Sequence, residues 1–416
     1  QVKSTYESFI AYGHATLGYL LMFLQENKSA DLLKQVVDYV VKCNKPWDCA
    51  QYGLVALIIL LLEDGRVDQC VNEAISLSSR YGDMKVLKLL LNDDRVDPSA
   101  NDNAISLASR YGHIEIVKLL LEDGRVDPGA NNHKAIIEAS IFGHLEIIVL
   151  LLEDKRIDPS GNNNYVIIEA SKYGHIEIIK LLLEDERVDP SGNTNQAIVE
   201  ASRNGHIEIV KLLMEDGRVN PSDNNNQAII DASYGGHLEV AKLLMEDERV
   251  DPSANDNKGI RLTSIFGHIE VMKLLLKDKR VDPSENDNKA MLDACRYAHI
   301  DIMKLLLKDK RVDPSGKKNQ PIKRASRYGD VEVVRLLLKD ERIDPGIKNN
   351  YSLAWASKNG HVEIVKLLLK DKRVDPRYDN ESIRSASKDG HAEVVKLLLE
   401  DGRVDPSAHG NKAIKF

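Results

Sequence analysis

Aromatic side chains are scarce, at 5 % of the 416 residues. That is too thin a supply for one large globular core. Long apolar runs are also missing. The longest, Leu54 to Leu62 and Leu17 to Leu24, fall well short of the ~20 residues that span a bilayer. Gln1 to Ile10 carry no basic-then-apolar leader pattern. The four cysteines, Cys43, Cys49, Cys70 and Cys295, form no CxxC pair and match no zinc spacing. They read as buried free thiols and fit a reducing compartment. No HExxH, GxxxxGK[ST] or GxSxG motif occurs. Gly316-Lys317-Lys318 lacks the upstream glycine of a phosphate loop. These absences argue against an enzyme, a cofactor and a resident metal.

What is present is repetition. A glycine recurs at positions 53, 82, 112, 143, 174, 205, 236, 267, 329, 360 and 390, with Ala298 in the same slot. Every step from Gly112 to Gly360 is 31 residues. A fixed period between 20 and 50 marks a stacked repeat protein. Asn195 to Asn225 (NQAIVEASRNGHIEIVKLLMEDGRVNPSDNN) is a representative repeat.

Each repeat divides into two short helices and a connection. Ala135 to Ser140 represents the first helix, where Ala139 and Ser140 let a neighbour approach closely. His113 to Asp123 represents the second. Its polar residues Glu115, Lys118 and Glu122 fall on one narrow stripe. A helix so short and so widely apolar needs cover from neighbouring copies. In the connection, Gly65, Gly124, Gly217 and Gly402 stand where a helix end favours a left-handed residue. Asp-Pro and a Ser/Gly/Asn/Asp cluster such as Ser160 to Asn164 follow. The expected order is helix, tight turn, helix, extended finger.

The block GHIEIVKLLLEDGRVD resembles the second helix of the ankyrin repeat. The resemblance covers roughly Pro46 to Ala408 and implies an all-α ankyrin solenoid of about thirteen stacked helix-turn-helix repeats with short fingers. Gln196 to Val199 (QAIV) take the place of the family's TPLH opening, and the period is about two residues short of the usual ~33. A tighter finger is therefore expected. Short-period arrays with RVDPS and Asn-rich fingers are similar to the ankyrin proteins of amoeba-infecting giant viruses, which implies a viral protein in the host cytoplasm or virion.

Residues 1–45 read as a degenerate repeat with an N-terminal capping helix at Ala30 to Cys43, or else as a docking helix. Residues 46–408 form the array, and 409–416 begin a further, truncated repeat. A first residue of glutamine, Gln1, and a stop at Phe416 read as trimming of one or both ends from a longer protein.

Nine histidines follow the repeat glycine, among them His113, His144, His175 and His361. Metal ligands must lie about 2 Å from one ion, whereas equivalent residues in stacked helices are about 8–10 Å apart. The histidines therefore read as residues that order the start of the second helix by hydrogen bonding, and no metal is expected.

Binding is the remaining function. The two residues before each glycine form a basic and aromatic ladder. Its candidate partner-binding residues are Arg80, Tyr81, Arg110, Tyr111, Phe142, Lys172, Tyr173, Arg203, Phe266, Arg296, Tyr297, Arg327 and Tyr328, with Trp355 and Lys358. Arg and Tyr are favoured at binding hot spots. In ankyrin-like stacks this part of the repeat lines the concave surface. The alternative is that the rungs serve stacking, with Glu169–Lys172 and Glu200–Arg203 as helical ion pairs.

Charge is uneven. The chain carries −8 overall. Residues 257–416 hold 33 Lys+Arg against 24 Asp+Glu, a surplus of +9, which leaves −17 for the rest. One slot changes from Glu122, Glu153, Glu184, Glu215 and Glu246 to Lys277, Lys308, Lys339 and Lys370. Such a stripe can grip phosphates, although Asp278, Asp309, Asp340 and Asp371 beside the lysines argue for a plain solvated face. The reading is a non-catalytic scaffold for a protein partner. The rivals are a nucleic-acid- or ribosome-associated binder using the basic half, and a substrate adaptor of a ubiquitin ligase.

Overall fold

The computed structural model describes residues 69–99, 104–377 and 380–404. The readings of residues 1–45 and 409–416, of the first two repeats, of Gly65, and of the Cys43, Cys49 and Cys70 side chains fall outside what it describes. The described residues are all-α, with eleven helix pairs and no strand. They fall into two compact units, one reaching residue 201 and including 211–219, the other comprising 202–210 and 220 onward.

The first unit holds α1 (Gln69–Tyr81), α2 (Met84–Leu91), α3 (Ala104–Arg110), α4 (Ile114–Glu122), α5 (Ala130–Phe142), α6 (Leu145–Glu153), α7 (Gly161–Tyr173) and α8 (Ile176–Glu184). Residues of α9 (Gly192–Asn204) and α10 (Ile207–Glu215) belong to both units. The second unit continues with α11 (Asp223–Gly235), α12 (Leu238–Met245), α13 (Ala254–Phe266), α14 (Ile269–Lys277), α15 (Glu285–Arg296) and α16 (Ile300–Lys308). It ends with α17 (Gly316–Tyr328), α18 (Val331–Leu337), α19 (Ile347–Lys358), α20 (Val362–Lys370), α21 (Glu381–Lys388) and α22 (Ala392–Glu400). Odd-numbered helices pack on odd-numbered neighbours, as α3 on α5 and α17 on α19. Even-numbered helices form a parallel row, as α4 against α6. Each unit is thus two layers of helices stacked repeat on repeat, as the ankyrin-like pattern implies.

The second helices behave as their sequence dictates. In α4, Ile116, Val117 and Leu120 are buried, while Lys118 turns outward to meet Glu115 at 2.8 Å. In the first helices Ala139 and Ser140 are fully buried, and the Ser140 hydroxyl donates to the Val166 carbonyl of the next repeat at 2.7 Å. Large side chains at these positions would hold the layers apart. Each first helix ends on a left-handed residue, a glycine everywhere except after α15, where Ala298 takes the place. Gly143 has φ +76°, and the next amide, of His144, returns to the Ala139 carbonyl at 2.9 Å.

Two expectations are corrected here. Gly124 and Gly217 do not adopt left-handed backbone; of the glycines expected to do so, Gly402 does, with φ +71°. The chain leaves α4 through Asp123 in extended conformation, at φ −78° and ψ 107°. The Asp123 carboxylate then accepts the Arg125 amide at 3.0 Å, which makes an Asx turn. That turn needs no positive φ, so Lys155 and Glu186 fill the glycine's place in other repeats.

The finger is not extended either. In α7 it folds as three successive left-handed residues, Asn162, Asn163 and Asn164, with φ between +55° and +60°. A single left-handed residue costs an ordinary side chain about 1–2 kcal/mol, and Asn tolerates it best. Cross-repeat bonding offsets that cost. The Asn164 carboxamide oxygen accepts the Asp189 amide of the next repeat at 2.8 Å. Asn226 does the same for Asp251 and Asn257 for Asp282. The run of asparagines is therefore a structural element, with no strand or hairpin in its place.

Candidate partner-binding ladder

The rungs stand at the end of each first helix, immediately before the left-handed turn. Their position is fixed by the staples that join each repeat to the one before it. His144 Nε2 hydrogen-bonds the Arg110 carbonyl oxygen at 3.0 Å, and His175 does the same to Ile141 at 3.0 Å. The expectation that these histidines order the second helix is corrected. His144 and His175 occupy the N-cap positions of α6 and α8 but make no side-chain cap. Their imidazoles reach back 34 residues and hold the carbonyl at the rung itself.

Arginine supplies the second staple. Arg187 is gripped by Asp185, at 2.6 Å, and donates from Nη1 to the Ile157 carbonyl at 3.1 Å and from Nη2 to the Leu152 carbonyl at 3.1 Å. Hydrogen bonding from Arg187, ahead of a smaller opposing effect of burial, holds the Asp185 carboxyl below the usual range. The aspartate grip and the Nη1 contact recur at Arg125, Arg156, Arg218, Arg280, Arg311, Arg342, Arg373 and Arg403, and the Nη2 contact at Arg125, Arg156, Arg342, Arg373 and Arg403.

In the first unit the rungs interlock. The Arg80 guanidinium lies 5.4 Å from the Tyr81 ring centre and 5.6 Å from that of Tyr111. Arg110 lies 5.9 Å from Tyr111 and 4.9 Å from Phe142, and Lys172 lies 5.0 Å from Tyr173. Carboxylates flank them, with Glu138 of the next repeat 3.7 Å from Arg110 and Glu169 3.6 Å from Lys172.

The second unit is built in the same way. Arg203 pairs with Asp231 of the following repeat at 2.8 Å. Tyr234 meets Phe266 edge-on at 4.8 Å, and Arg296 lies 6.0 Å from Tyr297. Arg327 lies 5.6 Å from Tyr328 and 4.2 Å from Trp355, over which Lys358 also sits at 4.9 Å. The tyrosine and phenylalanine rings of the ladder nevertheless stay open to solvent, from 40 % for Tyr81 to 58 % for Tyr328, while Trp355 is only partly exposed. The rungs touch between repeats and still present a surface.

Sequence reasoning missed a cluster beside this ladder. Gln320, Lys323, Arg324, Arg327 and Tyr328 of α17, with Tyr351 of α19, line a cavity of about 210 Å³. The available signal was Arg324, which stands where other repeats carry Glu138, Glu169, Glu200 and Asp231.

The lysine stripe also has a different setting from the one its sequence implies. Lys277, Lys308, Lys339 and Lys370 are exposed. Asp278, Asp309, Asp340 and Asp371, however, are bound to Arg280, Arg311, Arg342 and Arg373 at 2.6–2.8 Å. Each aspartate therefore neutralises an arginine rather than its lysine neighbour.

Among the described residues no group of three or more His, Cys, Asp or Glu is placed to hold a metal ion. None of the described helices is long and apolar enough to cross a membrane. Cys295 is buried in the position where neighbouring repeats carry Ser264 and Ser326, and burial pushes its thiol up to about 12.

The family of ankyrin repeats, taken three copies at a time, matches residues 47–132, 74–163, 167–256, 260–349 and 322–410. The chain belongs to the ankyrin-repeat family. No curated protein matches it. Ankyrin repeats generally mediate protein–protein interaction, and proteins built from them are typically non-catalytic scaffolds.

Proposed function

We propose that the chain is a non-catalytic scaffold that binds a protein partner along the first-helix face. The ladder of Arg, Lys, Tyr and Phe, half-exposed and packed rung on rung, carries this reading. Packed cation–aromatic rungs give area and hydrogen-bond donors with little side-chain freedom left to lose on docking. Arg110→Glu with Tyr111→Ala and Tyr173→Ala tests it in a pull-down from nuclease-treated lysate. The variant should keep its helicity and lose at least tenfold of the captured protein. Undiminished capture, or loss of helicity, sinks the proposal.

A second reading is binding to nucleic acid or to a ribosome through the exposed lysine stripe. It is favoured by the engagement of the neighbouring aspartates with arginine. It predicts a steep fall in affinity with salt and loss of the captured material on nuclease treatment. A role as ubiquitin-ligase adaptor needs a docking module, for which residues 1–45 are the candidate. The 31-residue period supports the further proposal of kinship with giant-virus arrays, and with it a host-cytoplasmic setting.

A further inference from the structure

Five residues before the repeat glycine, the first helix carries Glu138, Glu169, Glu200, Asp231 or Asp293 in five repeats. Those carboxylates temper the rungs, as Glu138 does Arg110 and Asp231 does Arg203. In α17 the same position holds Arg324, so the local charge changes sign. Lys323 precedes it and is buried to 7 % exposure. Arg327 lies one turn further on. With Gln320, Tyr328 and Tyr351 these cations surround the cavity of about 210 Å³, and no carboxylate lines it. The tyrosine rings form its walls, with Lys323 Nζ 5.7 Å from the Tyr351 ring centre and the Arg324 guanidinium 4.8 Å from that of Tyr328. Asp330, at the head of α18, feels Arg324, but burial holds its carboxyl above the usual range.

We propose that this pocket receives a phosphorylated side chain of the protein partner, with Lys323, Arg324 and Arg327 binding the phosphate oxygens. The proposal rests on the reading of the first-helix face as the partner surface. The lining brings three cationic side chains together. A phosphate monoester brings about −1.5 to −2 charge at neutral pH and three acceptor oxygens, and arginine forks match its geometry. Recognition of phosphorylated segments by arginine clusters is a general mode of peptide binding.

The test is a fluorescence-polarisation titration of the full chain with a short, otherwise neutral peptide bearing one phosphotyrosine, and with its unphosphorylated twin. The phosphopeptide should bind at least tenfold tighter than the twin, and Arg324→Glu should weaken it at least tenfold. Other repeats carry a carboxylate at this position, so the fold accommodates that change. Arg327→Gln serves as a second variant. Inorganic phosphate should compete only at much higher concentration, because it lacks the attached residue. Equal binding of the twin, or full binding by both variants, overturns the proposal. So does stronger competition by oligothymidine at equal phosphate concentration, which assigns the pocket to nucleic acid. The Arg110→Glu, Tyr111→Ala, Tyr173→Ala variant separates the two readings, since it should still bind the phosphopeptide. Phosphopeptide binding with undiminished partner capture by that variant removes the ladder and leaves the pocket. Lost capture with no phosphopeptide binding by the wild type removes the pocket alone.

Discussion

His175 lies over Gly143. A methyl group on that glycine would fall 2.6 Å from the imidazole, whose Nε2 holds the Ile141 carbonyl two residues earlier. The glycine therefore serves two ends, a left-handed turn and room for the next repeat's histidine. The two are separable by mutation. Gly143→Ala meets both the backbone penalty and the clash, and should destabilise by about 3 kcal/mol. Gly390→Ala has the same left-handed backbone, φ +77°, with nothing within 4 Å of the new methyl, and should cost only about 1 kcal/mol. Urea midpoints of the two variants decide it, and equal losses would show that the histidine yields without cost.

Ala298 and Asp330 occupy the positions that Gly267 and His299 fill one repeat earlier, and Gly329 and His361 one repeat later. Ala298 keeps the left-handed conformation, with φ +56°, so Ala298→Gly should stabilise by about 1 kcal/mol. Asp330→His alone should destabilise, because the new ring meets the Ala298 methyl. Joined with Ala298→Gly it should recover a staple to the Arg296 carbonyl. A double-mutant cycle should show a favourable coupling of about 1 kcal/mol or more, and strict additivity would dismiss the pairing.

Arg187→Met removes two cross-repeat hydrogen bonds and leaves the Asp185 carboxylate only the amide of residue 187, and should cost about 2 kcal/mol at pH 7. The dependence on pH follows from the lowered Asp185 carboxyl. A depressed acid stabilises the fold fully above its unfolded value, about 3.9, and loses that contribution as pH falls through the folded value. The gap between wild type and variant should therefore hold from pH 7 to about 5 and narrow below about 4. A gap unchanged at pH 3 would assign the whole effect to the carbonyl contacts.

Ser171 is fully buried, and its hydroxyl has no hydrogen-bond partner. An unpaired buried hydroxyl is a liability, so Ser171→Ala should be neutral or stabilise by a few tenths of a kcal/mol. The array already tolerates Cys295 at the equivalent position. A loss of more than about 1 kcal/mol in thermal melts would reveal a bond that forms in solution.

The period, both helices and the packing role of Ala139 and Ser140 were legible because each depends on residues within one repeat. The staples were not. Arg187 shows its Asp185 partner two residues away, but its carbonyl targets lie 30 and 35 residues back. His175 was assigned to the nearest helix for the same reason. Asn162 to Asn164 read as a finger because turn-forming composition does not distinguish an extended loop from three left-handed residues. Of the candidate site, the ladder positions were visible, but the basic cavity was not. Its novelty is one charge reversal, Arg324, whose meaning appears only when Tyr351 of the following repeat closes over it.

The staples reach one repeat back and no further. A copied stretch of 31 residues therefore arrives with its own plugs, the His, Arg and Asn side chains, and its own socket, the left-handed glycine. Duplication or loss of one whole repeat keeps these junctions where plug and socket match, but not at Ala298 and Asp330, which are altered together; the 30-residue steps from Gly82 to Gly112 and from Gly360 to Gly390 keep the histidine staple as well. Array length is thus free to drift in evolution by recombination between near-identical repeats, without a new interface having to be invented.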